Sequence, residues 1–340
     1  MEKKIGVLLV NLGSPDNDTN GAVISYLNDF LTDGRVIDYP IIPRNLLVRG
    51  LIVPLRYRNS ARTYRKIWTQ DGSPLVINST KLCEKVQQQL GNKYVVELAM
   101  RYKNPSIEKA LEKIKQSGVH KIIVFPLYPQ YASSSSGSSH QKVLELVSKW
   151  DQIPNISIIN SYYDHPLFID SIIEAGNKYN HQDYDHVIFS YHGLPERHLR
   201  NGDITKSHCL KVENCCAVIT HKNQFCYKAQ CYKTTQLLCE KLGLPNDKWT
   251  FSFQSRLGKE PWLQPYTWDT LESLAKAGKK KVLIYSPAFV ADCLETIYEI
   301  KEEYFELFKD KGGEVLQLVE SLNDNEKWVN CVTSIIKENE

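Results

Sequence analysis

Lys281-Val282-Leu283-Ile284-Tyr285-Ser286 and Lys121-Ile122-Ile123-Val124-Phe125-Pro126 are two short runs of one make, each a lysine followed by apolar, largely β-branched residues and ending at or near a proline. Similar runs recur along the chain and alternate with longer segments of helical period, the pattern of a parallel α/β sheet. In the first half strands are expected at Ile5–Val10, Tyr94–Ala99, Lys121–Pro126 and Ile156–Asn160. In the second they are expected at Val187–Ser190, Thr250–Phe253, Lys281–Ser286 and Val315–Val319. The first strand of each half leaves into comparable sequence, Leu12-Gly13-Ser14-Pro15 and His192-Gly193-Leu194-Pro195. The expected fold is therefore α/β, with two similar, doubly wound domains whose parallel sheets face across a cleft. The expected bounds are residues 1–164 and 165–323, with a terminal helix at Trp328–Lys337, within 324–340, packing back on the first domain. Open α/β sheets bind ligands beyond the carboxyl ends of their strands, so chemistry is sought in the strand-end loops.

The bulk properties narrow the function. The chain has 340 residues, 42% hydrophobic and 24% charged, with a formal charge of +3. That balance suits a globular protein and gives no electrostatic footprint for nucleic acid. No run reaches the roughly 20 apolar residues of a membrane-spanning helix. Ile5–Val10, directly after Met1-Glu2-Lys3-Lys4, is too short for a signal-peptide core, so a cytoplasmic location is expected. Five of the nine cysteines, Cys209, Cys215, Cys216, Cys226 and Cys231, fall in one segment, which in a reducing compartment points to metal before disulfides.

Three strand exits carry residues suited to chemistry. His192 follows the Val187–Ser190 run, and Gly193 permits a tight turn, so an imidazole able to exchange protons near neutral pH points into the cleft. After Lys281–Ser286 the chain enters a helix on which Glu295, Glu299 and Glu303 recur at i, i+4 and i+8, with Asp292 a turn earlier. Such a row can pass a hard divalent cation or protons, against the plainer alternative of a solvated helix face. Tyr128 through Ser139 is a Ser/Gly-rich stretch before a helix that could cradle an anion through N–H groups and hydroxyls. It lacks the ending of a nucleotide-binding loop. Leu46, Leu47, Val48, Leu51, Ile52 and Val53 interleave with Arg44, Arg49, Arg56 and Arg58. That lip suits a flat apolar ligand with carboxylates, or peripheral contact with a membrane surface.

Taken together the motifs resemble the ferrochelatase family. The resemblance is carried by Asn11 through Pro15, Tyr128 through Ser139, Phe189 through Arg197, Phe253 through Thr267 and Asp292 through Thr296, in the family's order and across nearly the whole chain. It implies a chelatase-type fold of two Rossmann-like domains and the insertion of Fe2+ into a porphyrin, protoporphyrin IX foremost, to form haem. It also implies His192 as the catalytic histidine, Glu295 as its facing carboxylate, and both as contacts for the substrate iron. Asp292, Glu299 and Glu303 correspond to an iron or proton path, and Leu12, Arg56, Arg101, Tyr102, Tyr128, Ser255 and Trp262 to residues that line or orient the macrocycle. Cys293 stands where some members carry a second histidine. On this reading the pocket holds the porphyrin bent, so that nitrogen lone pairs tilt out of the ring plane while His192 accepts pyrrole protons. Some relatives carry a [2Fe–2S] cluster on an internal cysteine-rich insertion, here about 201–231. The favoured ligands are Cys209, Cys216, Cys226 and Cys231, with Cys215 as alternate and zinc as the competing occupant. The loop is polar enough that metal–thiolate bonds are expected to supply its order. The expected partners are porphyrin and ferrous iron; the location is the cytoplasm, compatible with peripheral contact at an inner membrane. A chelatase for another tetrapyrrole, a porphyrin carrier and an iron–sulfur sensor are the competing classes.

Overall fold

The computed structural model describes residues 3–258 and 260–340. Met1, Glu2 and Lys259, the last within the Phe253–Thr267 stretch, lie outside the described residues. The chain forms two compact units. One takes the chain through Tyr128, Ala132–Ser161 and Asn323–Glu340; the other takes Pro129–Tyr131 and Tyr162–Leu322.

In the first unit β1 (Ile5–Gly13), β2 (Tyr94–Tyr102), β3 (Lys121–Pro126) and β4 (Asn155–Ile158) form a parallel sheet of order β2-β1-β3-β4. In the second, β5 (His186–His192), β6 (Trp249–Gln254), β7 (Lys281–Tyr285) and β8 (Val315–Leu318) repeat it as β6-β5-β7-β8. Uniformly apolar strands such as β1, with Val7, Leu8, Leu9 and Val10 fully buried, need helices on both faces. On one face of the first sheet Leu8, Val10, Ile122 and Val124 pack with Leu111, Ile114, Val143 and Val147 from helices Ile107–Gln116 and Ser138–Val147. The second sheet does the same with Ile188, Val282 and Ile284 against Leu271, Ile300 and Phe308. Helix Glu326–Glu338 packs in the first unit through fully buried Trp328, whose ring centroid lies 6.5 Å from that of Phe125 on β3.

Three strands run two or three residues further at their carboxyl ends than apolar patterning indicates, while β4, β7 and β8 stop a residue or two short of it. β1 extends to Gly13, β2 to Tyr102 and β5 to His192, because backbone pairing continues beneath polar side chains: Gly13 pairs with Tyr102, and His192 with Gln254. His192 is thus the last residue of a strand rather than part of the loop after it. Gly13, at φ +108°, is obligatory, since a Cβ there would lie 2.0 Å from the Tyr102 carbonyl oxygen. In each sheet the order reverses between the first and third strands, and such a switch point opens a crevice at the carboxyl edge. In the second unit that crevice lies between β5, ending in His192, and β7, leading to Asp292 and Glu295.

Candidate active site

The second unit's switch point gathers its polar residues around Gln254. The His192 imidazole is half-buried between two aromatic rings, Trp262 at 6.4 Å and Phe289 at 6.3 Å between centroids. Its Nδ1 lies 2.6 Å from the Gly193 carbonyl oxygen. A carbonyl can only accept, so Nδ1 carries the hydrogen and the neutral ring keeps its lone pair on Nε2. The histidine is set as a proton acceptor through Nε2. Its own backbone carbonyl accepts from the Tyr227 hydroxyl at 2.9 Å, and the next N–H, of Gly193, donates to the Gln254 carbonyl at 2.8 Å. Any Cβ at residue 193 would stand 2.8 Å from that oxygen and 3.2 Å from Trp262 Cε3. The turn after His192 therefore has to be glycine.

Glu295 opens a π-helix, Glu295–Tyr304, where sequence spacing indicates an α-helix. The wider i→i+5 ladder is rare and concentrates at functional sites. Gln254 ties this helix to His192: its backbone pairs with His192, while its side-chain Nε2 donates to the Glu295 carbonyl (3.2 Å) and to Glu299 Oε2 (3.1 Å). Its Oε1 accepts from Ser190 Oγ at 2.9 Å, which fixes the amide's orientation. The buried Cys293 thiol is hydrogen-bonded to the Glu295 carboxylate. Burial above all, then the Glu295 charge, pushes that thiol well above its usual range, so it stays protonated and donates. Asp292 accepts from Thr296 Oγ1 at 3.2 Å. The row runs outward from half-buried Glu295 and Glu299 to exposed Glu303.

Glu299 is held more tightly than a relay group needs. Oε1 accepts from Ser255 N–H (2.8 Å) and the Tyr304 hydroxyl (2.8 Å); Oε2 accepts from Ser255 Oγ (2.5 Å) as well as from Gln254. Ser255 has φ +64°, a left-handed conformation that a side chain adopts only under constraint, and Glu299 grips it at both backbone and hydroxyl. Trp262 is almost fully buried against the Gly193 turn, with Leu263 N–H donating to the Leu194 carbonyl at 2.9 Å.

In the first unit the residues matched to the macrocycle divide into two kinds. Leu12, the last residue but one of β1, and Tyr128, just after β3, lie at the carboxyl edge and keep some exposure, and Arg56 is exposed on helix Val53–Ile67. Arg101 and Tyr102, by contrast, spend their polar ends on Asp33: Arg101 Nη2 at 2.7 Å, Tyr102 Oη at 2.8 Å and Ser138 Oγ at 2.5 Å all donate to its Oδ2. Burial raises the Asp33 carboxyl, but these bonds, the Arg35 N–H and the Arg101 charge outweigh it and hold the group below the usual carboxylate range. Ser138, part of the Ser/Gly-rich stretch, is thus already committed to an anion belonging to the protein itself.

The cysteine-rich loop is ordered by two buried polar hubs. Asp203 Oδ2 accepts from the N–H groups of His208 and Cys209, both at 2.9 Å, and Oδ1 accepts from Thr205. Asn223 donates to the carbonyls of Cys215 and Val218, each at 2.9 Å, and accepts from Thr220 N–H. Four thiols stand together: Cys209 and Cys216 both hydrogen-bond to Cys226, and Cys215 Sγ lies 3.6 Å from Cys216 Sγ. Two thiolates on one tetrahedral ion stand about 3.8 Å apart, given metal–sulfur bonds of about 2.3 Å. The bonds from Cys209 and Cys216, with the first N–H groups of helix Tyr227–Leu242, pull Cys226 down toward its thiolate form, to about 3. Cys231 is elsewhere. It is fully buried on that helix with its thiol hydrogen-bonded to Tyr227, and Cys215 occupies the place expected for it. Among the described residues no group of three or more His, Cys, Asp or Glu side chains is arranged closely enough to hold an ion as it stands. The donor chemistry nevertheless suits a thiolate-ligated metal.

Gln254, Tyr304, Tyr227 and Asp33 were not singled out from sequence. Gln254 lies inside the long Phe253–Thr267 stretch and Tyr304 sits five residues after Glu299; Tyr227 and Asp33 carry no local signal.

Comparison with solved structures gives the class. The sirohydrochlorin chelatase SirB from Bacillus subtilis, solved with Fe3+ and with cobalt, superposes with a TM-score of 0.56 over 99% of this chain and 95% of that one, at 12% identity. The fold is that of the chelatases. Within that class the sequence is specific: the Ferrochelatase family profile matches residues 4–340. Ferrochelatases of Legionella pneumophila (strain Lens; 43% identity over 334 residues, 98% of each chain) and Pseudomonas fluorescens (strain Pf0-1; 44% over 337 residues, 97% of this chain and 96% of that one) are close relatives. The chain belongs to the ferrochelatase family. It is an enzyme of haem synthesis that inserts metal into a porphyrin, with ferrous iron as the metal substrate.

Proposed function

We propose that the second unit's switch point is where the reaction takes place, on protoporphyrin IX, with His192 as proton acceptor and Glu295 as the carboxylate opposite the incoming iron. The observation that carries this reading is the lone pair left on His192 Nε2 by the Nδ1–Gly193 hydrogen bond, on a residue that Gln254 joins to Glu295. A planar free-base porphyrin resists metal because its nitrogens point inward and two carry protons. Contacts around the ring, with Trp262 and Phe289 beside the histidine, favour a bent macrocycle whose lone pairs tilt outward. Nε2 takes the pyrrole protons, while Glu295 meets the metal. Protons or iron travel along Asp292, Glu295 and Glu303, graded from half-buried to exposed. Glu299 serves that row by holding Gln254 and Ser255 in place. Leu12, Tyr128 and Arg56 supply further porphyrin contacts, a role supported for Leu12 and Tyr128 by their place at a carboxyl edge.

The same reading assigns a [2Fe–2S] cluster to Cys209, Cys215, Cys216 and Cys226, with zinc as the alternative occupant; what supports it is four neighbouring thiols, one biased toward thiolate. Such a cluster supplies one-electron redox chemistry when bound. We further assign the enzyme to the cytoplasm, resting on a membrane surface through Ile41, Ile42, Leu46, Leu51 and Leu55. These are 66%, 71%, 71%, 53% and 74% exposed and lie among arginines. Among the described residues no helix is long and apolar enough to cross a membrane.

An anaerobic insertion assay tests the assignment, comparing protoporphyrin with coproporphyrin and ferrous with zinc and cobalt ions. Wild-type protein should favour ferrous iron and protoporphyrin. His192→Ala should abolish insertion while porphyrin binding, followed by fluorescence quenching, persists. Normal turnover by that variant would overturn the assignment.

A further inference from the structure

We infer that Tyr227 is a positioning residue that couples the cysteine-rich loop to His192, so that the state of the loop sets the placement of the proton acceptor. The inference rests on the reading of His192 as the catalytic base and of Cys226 as a metal ligand. Tyr227 directly follows Cys226 and is the first residue of helix Tyr227–Leu242. Its hydroxyl donates to the backbone carbonyl of His192 at 2.9 Å, although the two residues are 35 positions apart.

The geometry gives the link little slack. The Cys226 carbonyl is tied into the first helical turn by Gln230 N–H at 3.0 Å, and the Cys226 N–H donates to Asn223, the hub of the loop, at 2.8 Å. Gln230 is buried and fixed at both ends of its amide: Oε1 accepts from Tyr131 N–H (2.6 Å) and Nε2 donates to the Gln224 carbonyl (2.7 Å). A shift of Cys226 on gaining or losing metal therefore moves Tyr227. At the other end His192 is the last paired residue of β5, and its carbonyl accepts from the Tyr227 hydroxyl. What Tyr227 moves is the backbone that carries the imidazole.

The test compares wild-type protein with Tyr227→Phe, which deletes only the hydroxyl, using the complete protein purified anaerobically. The readouts are ferrous-iron insertion kinetics, metal per chain, and deuterium uptake of the peptide spanning residues 189–195. Tyr227→Phe should lower kcat at least tenfold, leave KM for the porphyrin within twofold, keep the metal content of wild type, and raise deuterium uptake in that peptide. Stripping metal from the wild type with a chelator should raise uptake in the same peptide and lower kcat comparably, whereas stripping Tyr227→Phe should add little. Wild-type kcat and uptake in Tyr227→Phe would overturn the inference, as would unchanged uptake in stripped wild type. His192→Ala run in parallel separates the two levels. Normal turnover there defeats the catalytic reading, whereas the uptake measurements judge the coupling without reference to turnover.

Discussion

Replacing Glu299 with glutamine changes one atom's hydrogen-bonding sense at the most saturated side chain of the site. The carboxylate accepts four hydrogen bonds, two on each oxygen. An amide offers one acceptor and one donor. If its NH2 occupies the Oε1 position it meets the Ser255 N–H, which cannot turn away; at the Oε2 position it meets the Gln254 NH2, itself fixed by Ser190. The hydroxyls of Ser255 and Tyr304 can rotate, but in either orientation one rigid donor is stranded. A buried unsatisfied donor costs about 1–3 kcal/mol, and the surviving bonds lose their charge assistance. Ser255 then relaxes from φ +64°, returning on the order of 1 kcal/mol. The net expectation is a loss of about 2–3 kcal/mol, or roughly 5–10 °C in the melting of the second unit. Insertion kcat should fall in parallel as Gln254 loosens between His192 and Glu295. Thermal unfolding by circular dichroism, paired with porphyrin-insertion kinetics, reads both effects. A Glu299→Gln protein that melts within about 1 °C of wild type and turns over normally would refute the idea that Glu299 is a structural clamp.

Gly193→Ala should cost the enzyme at least tenfold in kcat, because the added Cβ would stand 2.8 Å from the Gln254 carbonyl and displace the turn that carries the Nδ1 acceptor; steady-state kinetics at saturating porphyrin decide it. His140 is buried neutral, with its pKa lowered to about 4, chiefly by burial. Its unfolded value lies near 6.5, so the stability contributed by the neutral ring is complete above pH 6.5 and is lost as pH falls from there toward 4. The first unit should weaken by up to about 3 kcal/mol across that window, and denaturant titrations of His140→Gln should show a flatter pH dependence than wild type. Cys215→Ala should lose bound metal whereas Cys231→Ala retains it. Metal analysis and visible spectra of the two proteins check this, and loss from Cys231→Ala alone would reverse the ligand assignment.

Much of the fold was legible because parallel strands sandwiched between helices leave apolar, β-branched runs that even a short window detects; β3 was bounded to the residue. The strand ends were not, since Asn11, Arg101 and His192 interrupt hydrophobicity while their backbones go on pairing. His192 and Glu295 could be picked out because each follows a strand within a distinctive local sequence. Their supporting residues are fixed by partners far away in the chain: Tyr227 lies 35 residues from His192, and Asp33 lies 68 from Arg101. Spacing along the chain carries no trace of such contacts. The π-helix was missed for another reason, since carboxylates four apart fit either an α or a π ladder. Spacing along the chain likewise carries no sign that helix Tyr227–Leu242 takes Cys231 into the core while Cys215 stands beside Cys216.

Asp203 and Asn223 bear on which parts of the cysteine-rich loop are free to vary. Asp203 fastens the Cys209 end through the N–H groups of Thr205, His208 and Cys209, and Asn223 fastens the carbonyls of Cys215 and Val218. Between the two anchors the side chains of Val212 and Glu213 are exposed. Sequence can drift at those exposed positions without disturbing the thiols, whereas a change at either anchor would unfasten them together.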